Sequence, residues 1–186
     1  MKLNSAVVSL TNLLTRSEKS ESEQFSDLYN KYQKLVRSVI FQIAGPSHLS
    51  DLVQETFIRV WGKLPEFRKE SEISSWIYRI AVNIALDHLR SEKRHPTSSD
   101  AVLEFKNDGR DLEQELANRE LVSESLMALS AEHRTVIVLS LIHELSLAET
   151  AQVLEVSEGT VKSRLHYAKE HLRQFVSELS EKKRTL

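Results

Sequence analysis

Glycine and proline are scarce in this sequence, since the 186 residues include four glycines and three prolines. A fold rich in β-strands needs many tight turns, and such turns depend heavily on these two residues. The scarcity therefore favours an all-α protein. The chain has no cysteine, which excludes a disulfide framework, a thiolate zinc site and a cysteine nucleophile.

The composition is that of a soluble globular protein. Hydrophobic residues make up 40% of the chain and charged residues 28%. The longest apolar patches, such as 136–142, are too short to span a bilayer, and the N-terminus makes a poor signal peptide because only Lys2 precedes a segment broken by polar residues. These features predict a cytoplasmic protein with no membrane insertion.

Turn residues and apolar spacing divide the first half of the chain into helices. A helix starting near Glu23 is predicted to end at Gly45-Pro46, a second near Trp61 and a third near Arg94. Ser50-Asp51 is a plausible cap for the second helix, and Ser74 or Ser75 for the third. The apolar stripe of the second helix is predicted to comprise Val53, Thr56, Phe57, Val60 and Trp61.

A polar, acidic stretch separates two helical blocks, which predicts two small all-α domains joined by a flexible linker. The predicted divisions are an N-terminal extension at 1–24, a first domain at 25–94, the linker at 95–115, a second domain at 116–179 and a tail at 180–186.

Charge is distributed unevenly along the chain, although the total is only −2. Residues 25–94 carry 11 basic and 8 acidic side chains, and residues 157–186 carry 7 and 4. The middle is acidic: 95–115 and 116–156 each carry 2 basic and 6 acidic residues. Two basic blocks flanking an acidic middle would suit a polyanion held at two places, although solvated helix faces give the same pattern.

The C-terminal block contains a predicted helix-turn-helix. Residues 146–154 form a short helix, Glu155-Val156-Ser157 forms the turn, and Ser157 caps the second helix by accepting from the Thr160 amide. One side of that second helix is apolar, with Val161, Leu165, Ala168 and Leu172. The other is polar and basic, with Thr160, Lys162, Ser163, His166, Tyr167 and Glu170, flanked by Arg164 and Lys169. Such a helix fits the DNA major groove, and it also fits an ordinary surface position in a bundle.

Three segments carry a family resemblance. They are DLVQETF at 51–57 followed by Val60-Trp61, SWIYRIAVN at 75–83, and SEGTVKSRL at 157–165. In this order, and over about residues 25–175, they resemble the polymerase-binding, promoter-opening and recognition helices of bacterial sigma factors of the extracytoplasmic-function (ECF) group. The resemblance implies a sigma factor that directs core RNA polymerase to specific promoters and assists promoter opening and transcription initiation.

The resemblance also implies the site residues. Core RNA polymerase would contact one polar face of the second helix, comprising Asp51, Gln54, Glu55 and Arg59. The minus-ten element, with a base flipped from the non-template strand, would contact Arg68, Lys69, Glu70, Ser71, Arg79, Asn83, Asp87, Arg90, Lys93 and Arg94. The minus-thirty-five duplex would contact Ser157, Gly159, Thr160, Lys162, Ser163, Arg164, His166 and Tyr167.

Two residues depart from the family pattern. Glu155 occupies a turn position where the family usually has Gly, so a left-handed backbone there would be strained or absent. Tyr167 occupies a position where an Arg often appears, which implies a weaker or altered minus-thirty-five contact. Trp76 begins an amphipathic helix, and its position favours the core over stacking on DNA.

Other classes of function fit less well. His143-Glu144 and the pair His166 and His171 lack metal-ligand spacing, and no Gly-rich phosphate loop is present, so we expect no catalysis, metal or cofactor. The alternative is a conventional helix-turn-helix regulator that binds duplex DNA without being a polymerase subunit. The resemblance further implies an anti-sigma factor as partner, and an acidic linker lying in the RNA path of the polymerase; a simple soluble tether would have the same composition.

Overall fold

The computed structural model describes residues 21–67, 72–94 and 121–184. Over these ranges the chain forms helices and no strand, which confirms the predicted all-α class. The helices are α1 (Glu21–Ala44), α2 (Leu49–Lys63), α3 (Ile73–Arg94), α4 (121–127), α5 (Ala131–Ile137), α6 (Leu147–Leu154) and α7 (Glu158–Arg184). A 3-10 turn, Leu64–Glu66, follows α2, and a π-helical turn, Val138–Ile142, continues α5. None of the described helices is long and apolar enough to cross a membrane.

The chain divides into two compact units between Gln33 and Lys34, a boundary that falls within α1. The second unit contains the rest of α1 together with α2 to α7. The predicted linker at 95–115 and most of the predicted extension at 1–24 lie outside the described residues. The division into domains at 25–94 and 116–179 therefore stays a prediction.

Helix α1 ends where the sequence predicts. Its last residue is Ala44, and the next residue, Gly45, has φ 85°, a left-handed conformation that glycine adopts without steric cost. The Gly45 amide donates to the Phe41 carbonyl at 2.9 Å, which satisfies one of the open carbonyls at the helix end.

Helix α2 differs from its prediction at its start and in its stripe. It begins at Leu49 after His48, which has φ 55° and makes no side-chain capping bond, so Ser50-Asp51 does not cap it. Leu49 and Leu52 are buried with Phe57 and Val60, whereas Trp61 is 41% exposed. Trp61 lies about 100° around the helix from Val60, away from the stripe, so its predicted core position was wrong.

Helix α3 is buried on more than the one side that its sequence pattern indicates. It packs against α2 and also against α6. The apolar stripe of Ile77, Ala81 and Ile84 is buried, and Tyr78 and Val82, which lie beside that stripe, are buried as well. The second covered side matters because α3 carries most of the candidate minus-ten residues.

Helices α5 and α6 both pack against α7. A capping box begins α6: the Glu149 amide donates to Ser146 Oγ at 3.2 Å, and Glu149 Oε2 accepts from the Ser146 amide at 2.8 Å and from its hydroxyl at 2.6 Å. These hydrogen bonds lower the pKa of the Glu149 carboxyl. The box fixes where the first helix of the helix-turn-helix begins.

Arg134 of α5 is buried and is surrounded by backbone carbonyls. Its Nη1 donates to the Ile43 carbonyl near the end of α1 at 2.6 Å. Its Nη2 donates to the carbonyls of Met127 and Leu129 at 3.2 and 3.1 Å. Carbonyls at helix ends carry partial negative charge, so they compensate for much of the cost of burying the guanidinium. Burial still lowers the pKa of Arg134.

Candidate polymerase and nucleic-acid interfaces

The recognition helix, α7, begins as the sequence predicts. Ser157 Oγ accepts a hydrogen bond from the Thr160 amide at 3.1 Å, and the two side-chain hydroxyls lie 2.9 Å apart. Glu158 and Gly159 are exposed in the first turn. The exposed first turn presents backbone N–H groups and the positive end of the helix dipole, both of which favour an anionic partner.

The two faces of α7 also follow the prediction. Val161, Leu165 and Ala168 are buried, whereas the polar side is exposed at Lys162, Ser163, His166 and Tyr167. A surface of this kind supplies a cation, a hydroxyl, an imidazole and a phenol within two helical turns. These groups are suited to base edges and phosphates in a major groove.

Arg164 faces sideways and is paired within the fold. Its Nη2 lies 2.9 Å from Glu132 Oε2 of α5, and its side chain is only 26% exposed. The pair joins the recognition helix to α5. Arg164 is therefore the least accessible cation of the predicted minus-thirty-five set.

Tyr167 is 57% exposed, and its ring lies near two imidazoles. The ring centroids are 6.5 Å from His133 of α5, in a stacked orientation, and 5.5 Å from His166. His133 belongs to another helix, and the sequence reasoning missed it because no spacing rule connects it with α7. An aromatic group and an imidazole thus occupy the position where the resemblance leads one to expect an arginine.

The turn between α6 and α7 adopts the left-handed conformation that the sequence placed in doubt. Glu155 has φ 55° and ψ 40°, and the Val156 amide donates to the Ala151 carbonyl at 3.1 Å. This is the hydrogen bond of a glycine-type helix end, formed here with a glutamate. The left-handed conformation is therefore present at Glu155, and it is strained there because glutamate has a Cβ.

The predicted polymerase-binding face of α2 points to solvent. Asp51, Gln54 and Arg59 are exposed, and Arg59 Nη2 lies 2.5 Å from Glu55 Oε1. Ile58 lies one helical turn after Gln54, on the same face, and is 63% exposed. The sequence reasoning missed Ile58. A large apolar side chain in the middle of a polar face is a typical anchor for a protein partner.

The candidate minus-ten residues of α3 fall into two groups. Asn83, Asp87, Arg90, Lys93 and Arg94 are exposed, and Arg90 Nη1 lies 2.8 Å from Asp87 Oδ1. Arg79, by contrast, is half-buried: its Nη1 lies 3.1 Å from Glu155 Oε1, and its Nη2 donates to the Gln152 carbonyl at 3.0 Å. The guanidinium of Arg79 is therefore bound to residues of the helix-turn-helix.

The loop at 68–71 and the start of α3 complete the predicted minus-ten region, and the structure describes the second of these only. Arg68, Lys69, Glu70 and Ser71 lie outside the described residues. Trp76 is half-buried with its ring centroid 5.1 Å from that of Phe67, which agrees with the expected packing role.

Tyr78, next to Arg79, forms a hydrogen-bonded chain with His143, which follows the π-helical turn, and with Gln42 of α1. Its hydroxyl lies 3.1 Å from His143 Nδ1, and His143 Nε2 lies 3.1 Å from Gln42 Oε1. Burial lowers the pKa of His143, which favours a neutral ring that accepts from Tyr78 and donates to Gln42. Burial and, to a lesser extent, the charge of Glu149 raise the pKa of Tyr78.

No three His, Asp or Glu side chains of the described ranges come together as a metal site.

Comparison with known proteins finds two family descriptions that match this chain. The family description "Sigma-70 region 2" matches residues 28–95, and "Sigma-70, region 4" matches residues 125–174. The second match contains the capping box, the left-handed turn and the start of α7, and the first contains α2 and α3.

Two solved structures resemble the fold. CnrH in complex with the cytosolic domain of CnrY is 26% identical, with a TM-score of 0.64 over 84% of this chain and 90% of that one. The sigma factor RpoE of Bartonella quintana, solved with the anti-sigma factor NepR, is 22% identical, with a TM-score of 0.68 over 83% and 98%. At that identity the second comparison supports the fold alone.

Relatives of known function cover most of the chain. The ECF RNA polymerase sigma factor SigW of Bacillus subtilis is 30% identical over 175 residues, which is 87% of this chain and 94% of the relative. The ECF RNA polymerase sigma-E factor of Escherichia coli is 33% identical over 172 residues, 85% of this chain and 89% of the relative. The chain belongs to the ECF family of RNA polymerase sigma factors.

Proposed function

We propose that this protein associates reversibly with core RNA polymerase, directs it to specific promoters and assists in opening them. The observation that carries the proposal is the near full-length relationship to ECF sigma factors, together with a recognition helix whose polar face is exposed. The protein would act by binding and positioning in the cytoplasm, and not by catalysis.

Each proposed partner would contact a different surface of the chain. The α2 face of Asp51, Gln54, Glu55 and Arg59 would bind the polymerase, with Ile58 as an apolar anchor. The minus-ten non-template strand would be bound by residues 68–71 together with the α3 residues Arg79, Asn83, Asp87, Arg90, Lys93 and Arg94. The first two turns of α7, with their free N-terminus and Lys162, would bind the minus-thirty-five duplex.

An anti-sigma factor is the remaining proposed partner. It is supported by the similar structure of CnrH, which was solved with the cytosolic domain of CnrY bound to it. A partner of this kind would compete with core polymerase for the chain. Titrating it into the chain–polymerase complex and measuring release of the chain would test that competition.

Abortive initiation tests the proposal directly. Core polymerase and the purified chain are combined on a fragment carrying the promoter of the chain's own gene, and short transcripts are expected only when both are present. In parallel, binding to the same fragment is measured with and without core polymerase. Equal binding in both conditions, without transcripts, would instead establish a conventional duplex-binding regulator.

A further inference from the structure

The helix that carries the candidate minus-ten residues is covered by the first helix of the helix-turn-helix. The Arg79 guanidinium lies on a carboxylate oxygen of Glu155 at 3.1 Å and on the Gln152 carbonyl at 3.0 Å. Both acceptors lie at the C-terminal end of α6, where the helix dipole is negative. They give Arg79 an anionic environment of the kind that a DNA phosphate would otherwise supply.

Two other polar contacts join the same two parts of the chain. Tyr78 reaches His143, which also bonds Gln42, and Arg134 reaches the Ile43 carbonyl. Val82 of α3, next to the stripe of Ile77, Ala81 and Ile84, is fully buried. We call the contacts Arg79–Glu155, Tyr78–His143 and Arg134–Ile43 the seam.

Glu155 is the least expected member of the seam. It adopts a left-handed conformation in which glycine would be unstrained, and its side chain is 66% exposed, so local packing does not call for a glutamate. Within the described residues its carboxylate makes one ion pair, and that pair crosses the seam to Arg79. A glycine at this position could not make the ion pair to Arg79. The Glu155 side chain therefore adds a contact between the end of α6 and α3.

We propose that the Arg79–Glu155 pair is a latch that favours a closed state of the free chain, and that the seam must open before Arg79 reaches promoter DNA. The inference rests on the proposed function, since that function assigns Arg79 to the minus-ten element. An ion pair this exposed changes the ratio of open to closed chains by about two- to fivefold, so the latch biases the equilibrium and the buried part of the seam sustains it.

The absence of cysteine allows the opening to be measured on the full chain. Cysteines are introduced at two exposed positions outside the proposed interfaces, Arg37→Cys and Ser177→Cys, and carry spin labels. The distribution of distances between the labels is measured without polymerase. The test variant is Glu155→Arg, which places a cation against Arg79. The matched control is Glu158→Arg, which makes the same charge change at an exposed position three residues further on.

The expected result is a predominant single population in the parent and the control, and a second population in Glu155→Arg, with the open-to-closed ratio raised about two- to fivefold or more. The variant Arg79→Gln removes the charge of the pair from the α3 side but keeps a side-chain donor for the Gln152 carbonyl, so it is expected to raise the open population in the same direction as Glu155→Arg. Circular dichroism checks that each variant keeps its helix content.

The inference is overturned if Glu155→Arg leaves the distribution unchanged, if Glu158→Arg changes it equally, or if Arg79→Gln leaves it unchanged. These distances do not depend on transcription. If the chain supports no abortive initiation, the proposed function fails while the latch is still measured; if initiation succeeds and the distances do not respond, the latch alone fails.

Discussion

At the scale of single residues, the left-handed positions carry the most information. His48, Glu144 and Glu155 have φ values of 55°, 56° and 55° without being glycines. Sequence comparison with the family pattern identified Glu155 as a site that would be strained or would lose the conformation. In the structure Glu155 does adopt the left-handed conformation, so of the two expected outcomes the strained one is found. His48 and Glu144 gave no sequence signal, since turn residues other than Gly and Asn leave no reliable signature.

Two glycine substitutions compare strained positions with and without the latch. Glu144→Gly is expected to raise the free energy of unfolding by about 0.5–1 kcal/mol, because relief of the left-handed strain exceeds the added entropy of the unfolded chain. Glu155→Gly relieves the same strain and loses the ion pair to Arg79, so its gain is expected to be smaller or absent. Urea unfolding of both variants measures the difference. Equal gains would show that the pair contributes nothing to stability.

Substitutions at Leu165 and Lys162 test which side of the recognition helix is buried and which side is exposed. Leu165→Asp is expected to unfold the region around α7, since burying an unpaired carboxylate costs about 3 kcal/mol or more. Lys162→Ala is expected to leave the melting temperature unchanged, to weaken promoter binding by the polymerase complex, and to reduce the salt slope of binding by about one. Calorimetry and salt-dependent binding are the measurements; a lower melting temperature for Lys162→Ala would contradict the facing.

Much of the candidate site at this scale could be predicted, because helical periodicity separates exposed from buried positions. The outward facing of Lys162, Ser163 and His166 is confirmed, while their contact with DNA stays a prediction. Periodicity says nothing about neighbours on other helices. For that reason the Arg164–Glu132 pair and the ring of His133 beside Tyr167 were not foreseen.

At the scale of elements, capping decides where helices begin. The Ser146–Glu149 box and the Ser157 cap both use side-chain oxygens that accept backbone amides, and Ser157 was predicted from sequence. Helix α2 starts without such a cap, after a left-handed His48. The Ser50-Asp51 signal therefore placed the start of the helix about two residues too late. The π-helical turn at Val138–Ile142 had no signal in the apolar run that contains it.

The capping box predicts a pH dependence of stability. Hydrogen bonds from Ser146 hold the pKa of Glu149 below its ordinary value of 4.5 in the folded chain. A depressed folded pKa contributes stability that is present above the unfolded pKa and is lost as the pH falls from 4.5 through the folded pKa. Ser146→Ala is therefore expected to cost about 1 kcal/mol near neutral pH and less near about pH 3.

Urea unfolding at the two pH values measures this difference. Ser177→Ala, at an exposed position late in α7, serves as the matched control and should show little cost at either pH. A cost for Ser146→Ala that stays the same at both pH values would contradict a role for the ionised Glu149 carboxylate.

At the scale of the whole molecule, Arg134 links parts of the chain that are far apart in sequence. It bonds the Ile43 carbonyl as well as Met127 and Leu129 near its own helix. Arg134→Met keeps much of the volume but leaves these carbonyls without their donor, which typically costs about 1–3 kcal/mol for each buried unsatisfied group. We expect the parent to unfold in one calorimetric transition and the variant in two. A single transition at a lower temperature would show that Arg134 supports only its own turn.

The packing of α3 on α6 is another part of the fold that the sequence could not predict. An apolar stripe indicates which face of a helix is buried, and it does not identify the covering helix. Tyr78 and Val82 lie at the margin of the α3 stripe, and Arg134 lies beside a strongly apolar run, so neither position suggested a contact between 34–94 and 121–184. Family membership and the all-α class, by contrast, followed from short strings and from composition.

The double covering of α3 bears on how such a protein is stored. Tyr78 and Val82 are shielded by the chain's own helices, so the protein exposes less of the apolar surface that promotes aggregation and proteolysis. Under the proposed latch, the supply of initiation-competent molecules would depend on how readily each chain opens, and not on synthesis alone.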